Sequence, residues 1–124
     1  MCEPLFTYLK IASEQSKDHS KAGFYNVGPD DCDCITTGEL VTLFCEKWKN
    51  VSGNEVKWVN QYDGGPHEAN FLKLDCSKMK STFDWKPRWN VEQTMEKLVE
   101  WYYLYNENGD TESLLRKQVI DFIE

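Results

Sequence analysis

The sequence has no uninterrupted apolar run of about 18 residues, the least that would carry a helix across a bilayer, and it does not open with the basic-then-apolar order of a secretory leader. Neither a membrane span nor a signal peptide is expected, and the cytoplasm is the default location. Basic residues are scarce: 14 Lys and Arg stand against 21 Asp and Glu, a formal charge of −7. Such a chain repels a phosphate backbone at long range, so nucleic acid is not an expected partner. Histidine is scarcer still, with two copies, His19 and His67. His19 falls in the polar stretch Ser16 to Ala22, which reads as a loop, and is expected at the surface. Several motifs are absent: GxGxxG, a Walker loop, HExxH, GxSxG and Tyr-x-x-x-Lys. Their absence argues against a self-contained nucleotide-dependent dehydrogenase, a zinc protease or a serine hydrolase. No residue is assigned a catalytic role.

The five cysteines, Cys2, Cys32, Cys34, Cys45 and Cys76, are odd in number, which favours reduced thiols over a disulfide framework. Cys32-Asp33-Cys34 lacks a second pair or a suitably spaced His, so no metal site is expected. The carboxylates of Asp30, Asp31 and Asp33 do not follow the ladder of a calcium loop and read as a solvated acidic turn. What the chain does have is packing surface. Hydrophobic residues make up 40% of it, including five Trp and six Tyr, enough for an ordinary globular domain without disulfide or metal staples.

In chain order, Pro4 opens a helix through about Gln15 with Leu5, Tyr8, Leu9 and Ala12 at helical spacing. Phe24 to Val27 reads as a short strand ended by Gly28-Pro29. Thr36 or Thr37 caps a helix carrying Leu40, Val41, Phe44, Cys45 and Trp48, with Glu39 in its first turn. After the Ser52-Gly53-Asn54 turn, Glu55 to Asn60 alternates like a strand, with Val56 and Trp58 on one face and Lys57 and Val59 on the other. Gly64, Gly65 and Pro66 form a turn, and Phe71, Leu72 and Leu74 a short strand candidate ending at Asp75. Ser77 caps a helix with Met79 and Phe83 on its apolar side, stopped by Trp85-Lys86-Pro87. Asn90 and Gln93 are placed to cap an amphipathic helix bearing Met95, Leu98, Tyr102 and Tyr105, and after Gly109 a last helix carries Leu115, Val119, Phe122 and Ile123. Short strands bridged by helices predict an α/β chain: one domain over residues 1–124, a small mixed lobe with about four to five helices and no complete Rossmann domain.

A series of phrases is more specific than any of these patterns. Glu3-Pro4-Leu5-Phe6-x-Tyr8-Leu9, Tyr25-Asn26-Val27-Gly28-Pro29-Asp30-Asp31, Asp63-Gly64-Gly65-Pro66-His67-Glu68-Ala69, Leu72-Lys73-Leu74-Asp75-Cys76-Ser77-Lys78, Trp85-Lys86-Pro87-Arg88-Trp89 and Val99-Glu100-Trp101-Tyr102 follow one another through nearly all of the chain. In that order they resemble the C-terminal part of the CDP-glucose 4,6-dehydratases, within the extended short-chain dehydrogenase/reductase family of nucleotide-sugar epimerases and dehydratases. The resemblance implies a substrate-binding lobe that closes over a nucleotide sugar. In the complete enzymes of this family a tightly bound NAD oxidises C4 transiently, water leaves across C5 and C6, and the hydride returns at C6. The Gly-rich NAD loop and the catalytic Tyr, Lys, Thr and acidic residues precede the matched region, so no cofactor is expected in this chain and NAD only in the complete enzyme.

Carried onto this sequence, the resemblance makes His67 and Glu68 the foremost substrate contacts, with Tyr8 and Glu3 at the edge of the site. His67 would offer a donor to phosphate, and Glu68 an acceptor to a hydroxyl or base amine. The chain departs from the family pattern at Asp84, where glycine commonly precedes the Trp, and at Cys32 and Cys34 in the acidic loop. Three readings follow: a nucleotide-sugar-binding fragment inactive by itself, a subunit complementing a separate NAD-binding domain, or an interaction or homo-oligomer-forming domain without ligand.

Overall fold

The computed structural model describes residues 2–61 and 73–124. Those residues form five α-helices, α1 (Cys2–Lys17), α2 (Thr37–Ser52), α3 (Ser77–Phe83), α4 (Val91–Asn106) and α5 (Thr111–Ile123), with short 3-10 turns at His19–Lys21 and Asp31–Asp33. No strand occurs among the described residues. The expectation of an α/β lobe is therefore corrected to an all-helical one.

The physical reason is clearest at residues 24–27, where a strand needs a neighbouring strand to take its backbone groups. Here side chains take that part instead. Lys78 Nζ donates to the Phe24 carbonyl (3.1 Å), and Asn26 Nδ2 donates to the Asp75 carbonyl (3.1 Å). Phe24 itself is 96% exposed, and among the described residues no second strand runs alongside. Residues 55–60, the other expected strand, are also irregular, as are the described residues 73–75 of the third. The Gly64-Gly65-Pro66 turn and Phe71 and Leu72 lie outside the described residues.

The helices fall into two units interleaved along the chain. The first comprises Met1–Cys34 and Lys73–Asn90, the second Ile35–Leu72 and Val91–Glu124.

In the first unit, α1 and α3 share a core of Met79, Phe83 and Trp85, against which Ile11, Tyr25 and Val27 pack. Tyr25 meets Phe83 edge-on at 4.9 Å, and its hydroxyl donates to the Lys21 carbonyl (2.6 Å). The fully buried Thr7 hydroxyl accepts from Trp85 Nε1 at 3.1 Å and donates to Glu3 Oε1 at 3.4 Å, so a polar group in the core is satisfied on both sides. α1 outruns its expected end, and Asp18 caps the 3-10 turn that follows by accepting from Ser20 N (3.0 Å). Ser77 is the first residue of α3 rather than its cap: Asp75 Oδ1 accepts its N–H at 2.9 Å. Asp84, which follows α3, takes a left-handed conformation (φ 45°, ψ 47°) that glycine would adopt freely.

In the second unit, Thr36 caps α2 as a full capping box: its hydroxyl accepts from Glu39 N, and Glu39 Oε2 accepts from Thr36 N at 2.7 Å. Gly53 closes the helix in the left-handed region (φ 73°). Lys47 of α2 bridges Glu92 (2.8 Å) and Glu96 (2.6 Å) of α4, and Trp48 meets Tyr103 edge-on at 6.0 Å. Met95 and Val99 of α4 and Phe122 of α5 are buried. Gln118 of α5, also buried, donates to the Lys97 carbonyl (2.9 Å) and to Glu100 Oε2 (3.3 Å) of α4. α4 ends in a six-to-one bond from Gly109 N to the Leu104 carbonyl (2.9 Å), with Asn108 at φ 53°. Asp110 then caps α5 by accepting from Ser113 N (3.0 Å).

Candidate functional site

Of the four contact residues expected from the sequence, His67 and Glu68 lie outside the described residues, and Glu3 and Tyr8 sit on the first turns of α1. Tyr8 is 65% exposed, its ring free to meet a ligand or a partner. Glu3 is engaged within the chain: Oε1 accepts from Thr7 Oγ1, and Oε2 accepts from the Arg88 backbone N–H at 3.1 Å. The Arg88 guanidinium also covers the Phe6 ring at 4.4 Å. Glu3 thus ties the start of α1 to the Trp85-Lys86-Pro87-Arg88 connector.

The first unit also holds a small polar recess of roughly 390 Å³ beside the Asp75-Cys76-Ser77 turn, with Lys73 and Lys80 on its wall. Both lysines are engaged. Lys80 Nζ lies 2.6 Å from Asp30 and Lys73 Nζ 2.9 Å from Asp31, and the hydrogen bond to its aspartate holds each ammonium above its usual pKa. The Ser77 hydrogen bonds hold the Asp75 carboxyl below its usual range. Each cation already faces an anion, so the recess is a neutralised surface joining the acidic turn to α3. Asp30 and Asp31, read from the sequence as a solvated turn, are here the tether for those two lysines.

The second unit carries a larger groove of roughly 610 Å³. Phe44 and Trp48 of α2, Tyr102 and Asn106 of α4, and the consecutive residues Val56, Lys57 and Trp58 all line it. In a strand, Lys57 would face away from Val56 and Trp58. The irregular path of this segment brings all three to one surface and leaves Val59 80% exposed. Trp58 is anchored by its Nε1, which donates to Thr42 Oγ1 at 3.1 Å. Sequence reading missed this groove because it followed the alternation of the segment; the signal available was the pair of tryptophans, Trp48 and Trp58, within one helix–turn–extended run.

No trio of His, Cys, Asp or Glu among the described residues is arranged to hold a metal ion. Cys32, Cys34, Cys45 and Cys76 are free thiols. Buried Cys76 lies with its Sγ 3.6 Å from the Leu74 carbonyl, in a packing role. A dinucleotide is seated by a glycine-rich turn leading from a strand into a helix. Among the described residues there is no strand, and no glycine-rich turn of that kind meets a helix start. No described helix is long and apolar enough to cross a membrane.

No family model matches the chain. It is similar to the CDP-glucose 4,6-dehydratase of Salmonella typhimurium, with 30% identity over 122 residues, 98% of this chain and 33% of that protein. The likeness read from the ordered phrases is thus shown along nearly the whole sequence, and the chain spans about a third of the length of the curated relative it matches.

Proposed function

We propose that these 124 residues are a nucleotide-sugar-binding part related to CDP-glucose 4,6-dehydratase, and that they perform no redox chemistry by themselves. The observation that carries the reading is the continuous likeness over 98% of the chain to a third of a dehydratase. The missing GxGxxG and Tyr-x-x-x-Lys motifs support the second half of it. His67, Glu68 and Tyr8 are the proposed substrate contacts. Glu3 contributes at the edge, where its carboxylate also holds the Arg88 backbone.

Titration of the purified chain with CDP-glucose, with a purine nucleotide sugar as control, tests the binding half. The expected result is saturable binding that His67→Ala and Glu68→Ala weaken while the helical circular dichroism is kept. Binding no tighter than that of the control sinks the reading.

A second reading follows from the share of the relative left unmatched: the chain complements a separate NAD-binding domain. Mixing it with the N-terminal two thirds of such a dehydratase is expected to restore turnover of CDP-glucose. Absence of both turnover and a stable complex rejects this second reading alone.

A further inference from the structure

Cys32-Asp33-Cys34 lies on a surface turn of the first unit and takes no part in the function proposed above. We infer that it is a thiol–disulfide exchange site: Cys32 meets a small disulfide of the glutathione class, and Cys34 resolves the adduct by closing a reversible Cys32–Cys34 bond.

The two thiols differ in the way such a pair requires. Cys32 is exposed and Cys34 half-buried, so an incoming disulfide reaches Cys32 first. Spacing permits closure. Cys32 is the middle residue of the 3-10 turn Asp31–Asp33, and Cys34 is the residue that follows it. With three residues per turn and a rise of about 2 Å, positions two apart in such a turn lie roughly 5 Å apart at Cα, inside the span of about 4.4–6.8 Å that a disulfide bridges. The Cys34 thiol also folds back over the turn, donating to the Asp30 carbonyl with its Sγ 3.5 Å away.

The turn is fixed at one end and loose at the other. Asp30 at its start is paired with Lys80 (2.6 Å), and Asp31 with Lys73 (2.9 Å). At its end the Cys34 N–H reaches the Asp31 carbonyl at 3.4 Å, longer than a good N–H···O bond, and the backbone stays irregular from there to the start of α2. Cys34 can therefore swing onto Cys32 by giving up one weak backbone bond and its own S–H contact, while both anchors hold. The anchors matter for charge as well. Lys80 and Lys73 answer two of the carboxylates that would oppose a thiolate here, and Lys73 lies within electrostatic reach of Cys34. A bond closed across so short a loop is exposed and strained, the kind that thiols readily reduce again.

The exchange needs no reactant beyond the disulfide. Cys32 releases its proton, its thiolate attacks one sulfur of glutathione disulfide, and a glutathione thiolate leaves with the electron pair of the broken bond. The Cys34 thiolate, its proton also released, then attacks the Cys32 sulfur and expels the second glutathione thiolate. Both leaving groups take up protons, so that two protein thiols are oxidised and one glutathione disulfide is reduced to two thiols.

The whole reduced chain, equilibrated with glutathione at graded ratios of disulfide to thiol and read by intact and tandem mass spectrometry, tests the site. The expected product has lost two hydrogens, carries its new bond between Cys32 and Cys34, and reverts in excess reduced glutathione. Cys34→Ser is expected to stop at a glutathione adduct on Cys32, since no resolving thiol remains. Cys32→Ser should form its adduct on Cys34 about tenfold more slowly, because that thiol is half-buried. Lys73→Gln should slow closure about threefold, with the helical circular dichroism unchanged.

Mapping the bond in the parent chain decides the matter even if a variant folds poorly. Adducts that accumulate on the parent without closing, a bond from either thiol to Cys45 or Cys76, or equal adduct rates in the two serine variants overturns the inference. Nucleotide-sugar binding plays no part in it, so none of these results bears on the function proposed above, which the CDP-glucose titration decides.

Discussion

Replacing Trp85 by phenylalanine removes one N–H from the core of the first unit and strands its partner. The Thr7 hydroxyl is fully buried and accepts from that N–H at 3.1 Å. Leaving such an acceptor unmet costs about 1–3 kcal/mol, and the space vacated by the smaller ring costs on the order of 1 kcal/mol more. Trp85→Phe is therefore expected to lose about 2–4 kcal/mol. Thr7→Val is close in shape and strands the indole N–H instead, for about 1–3 kcal/mol. In the double variant neither polar group remains, so its loss should fall short of the sum by about 1–2 kcal/mol. Urea denaturation followed by circular dichroism reads all four proteins, and an unchanged denaturant slope shows that the same surface is exposed in each. Single losses that add within about 0.5 kcal/mol would refute the view that the hydroxyl and the indole stabilise the core as a pair.

Other predictions rest on backbone geometry and on the carboxylates. Gly109→Ala sets a methyl 2.2 Å from Leu104 Cδ1 and 3.3 Å from the Leu104 carbonyl oxygen, and is expected to lower stability by about 1–2 kcal/mol in the same urea assay. Asp84→Gly relieves a left-handed residue and should be neutral or stabilise by up to about 1 kcal/mol; a clear loss would show that the Asp84 side chain has a task of its own. Thr36→Ala breaks the capping box of α2 and is expected to cost about 0.5–2 kcal/mol. The Glu39 carboxyl in that box titrates below its ordinary 4.5, chiefly through the Thr36 backbone N–H, and Glu92 is lowered by Lys47. Groups with lowered folded pKa values add stability that is complete above the unfolded value and lost as pH falls through the folded one. Urea midpoints should therefore hold down to about pH 5 and drop below about pH 4, with a smaller drop in Glu39→Gln. Tyr8→Ala, on an exposed side chain, should change stability by less than about 0.5 kcal/mol while weakening CDP-glucose if the proposed contact is right.

The helices were legible because their signals are local. Thr36 with Glu39 three residues on, Met79 and Phe83 four apart, and Gly109 beyond the last turn of α4 each mark a boundary or a face without reference to the rest of the chain. The strands were misread for the complementary reason: β structure depends on a partner, and alternation over Glu55 to Asn60 says nothing about whether one is alongside. Phe24 and Asn26 show what happens instead, with Lys78 and the Asp75 carbonyl supplying the contacts a ladder would have made. The Glu3 tether to the Arg88 backbone links positions 85 residues apart, and no spacing rule anticipates it. Asp84 is the intermediate case. Its departure from glycine was visible in the sequence, but its left-handed backbone became visible only in the structure.

The interleaving of the two units has a consequence for how the chain emerges from a ribosome. Ile11 of α1 finds its packing partners in Met79, Phe83 and Trp85, so α1 waits through roughly seventy residues of translation for this core, and the second unit is begun and left unfinished in the interval. Sequence separation of this kind slows the closing step and leaves apolar surface uncovered meanwhile. A nascent chain halted near residue 70 would hold α1 without Met79, Phe83 and Trp85 to cover it, and no single cut within residues 1–124 releases either unit whole.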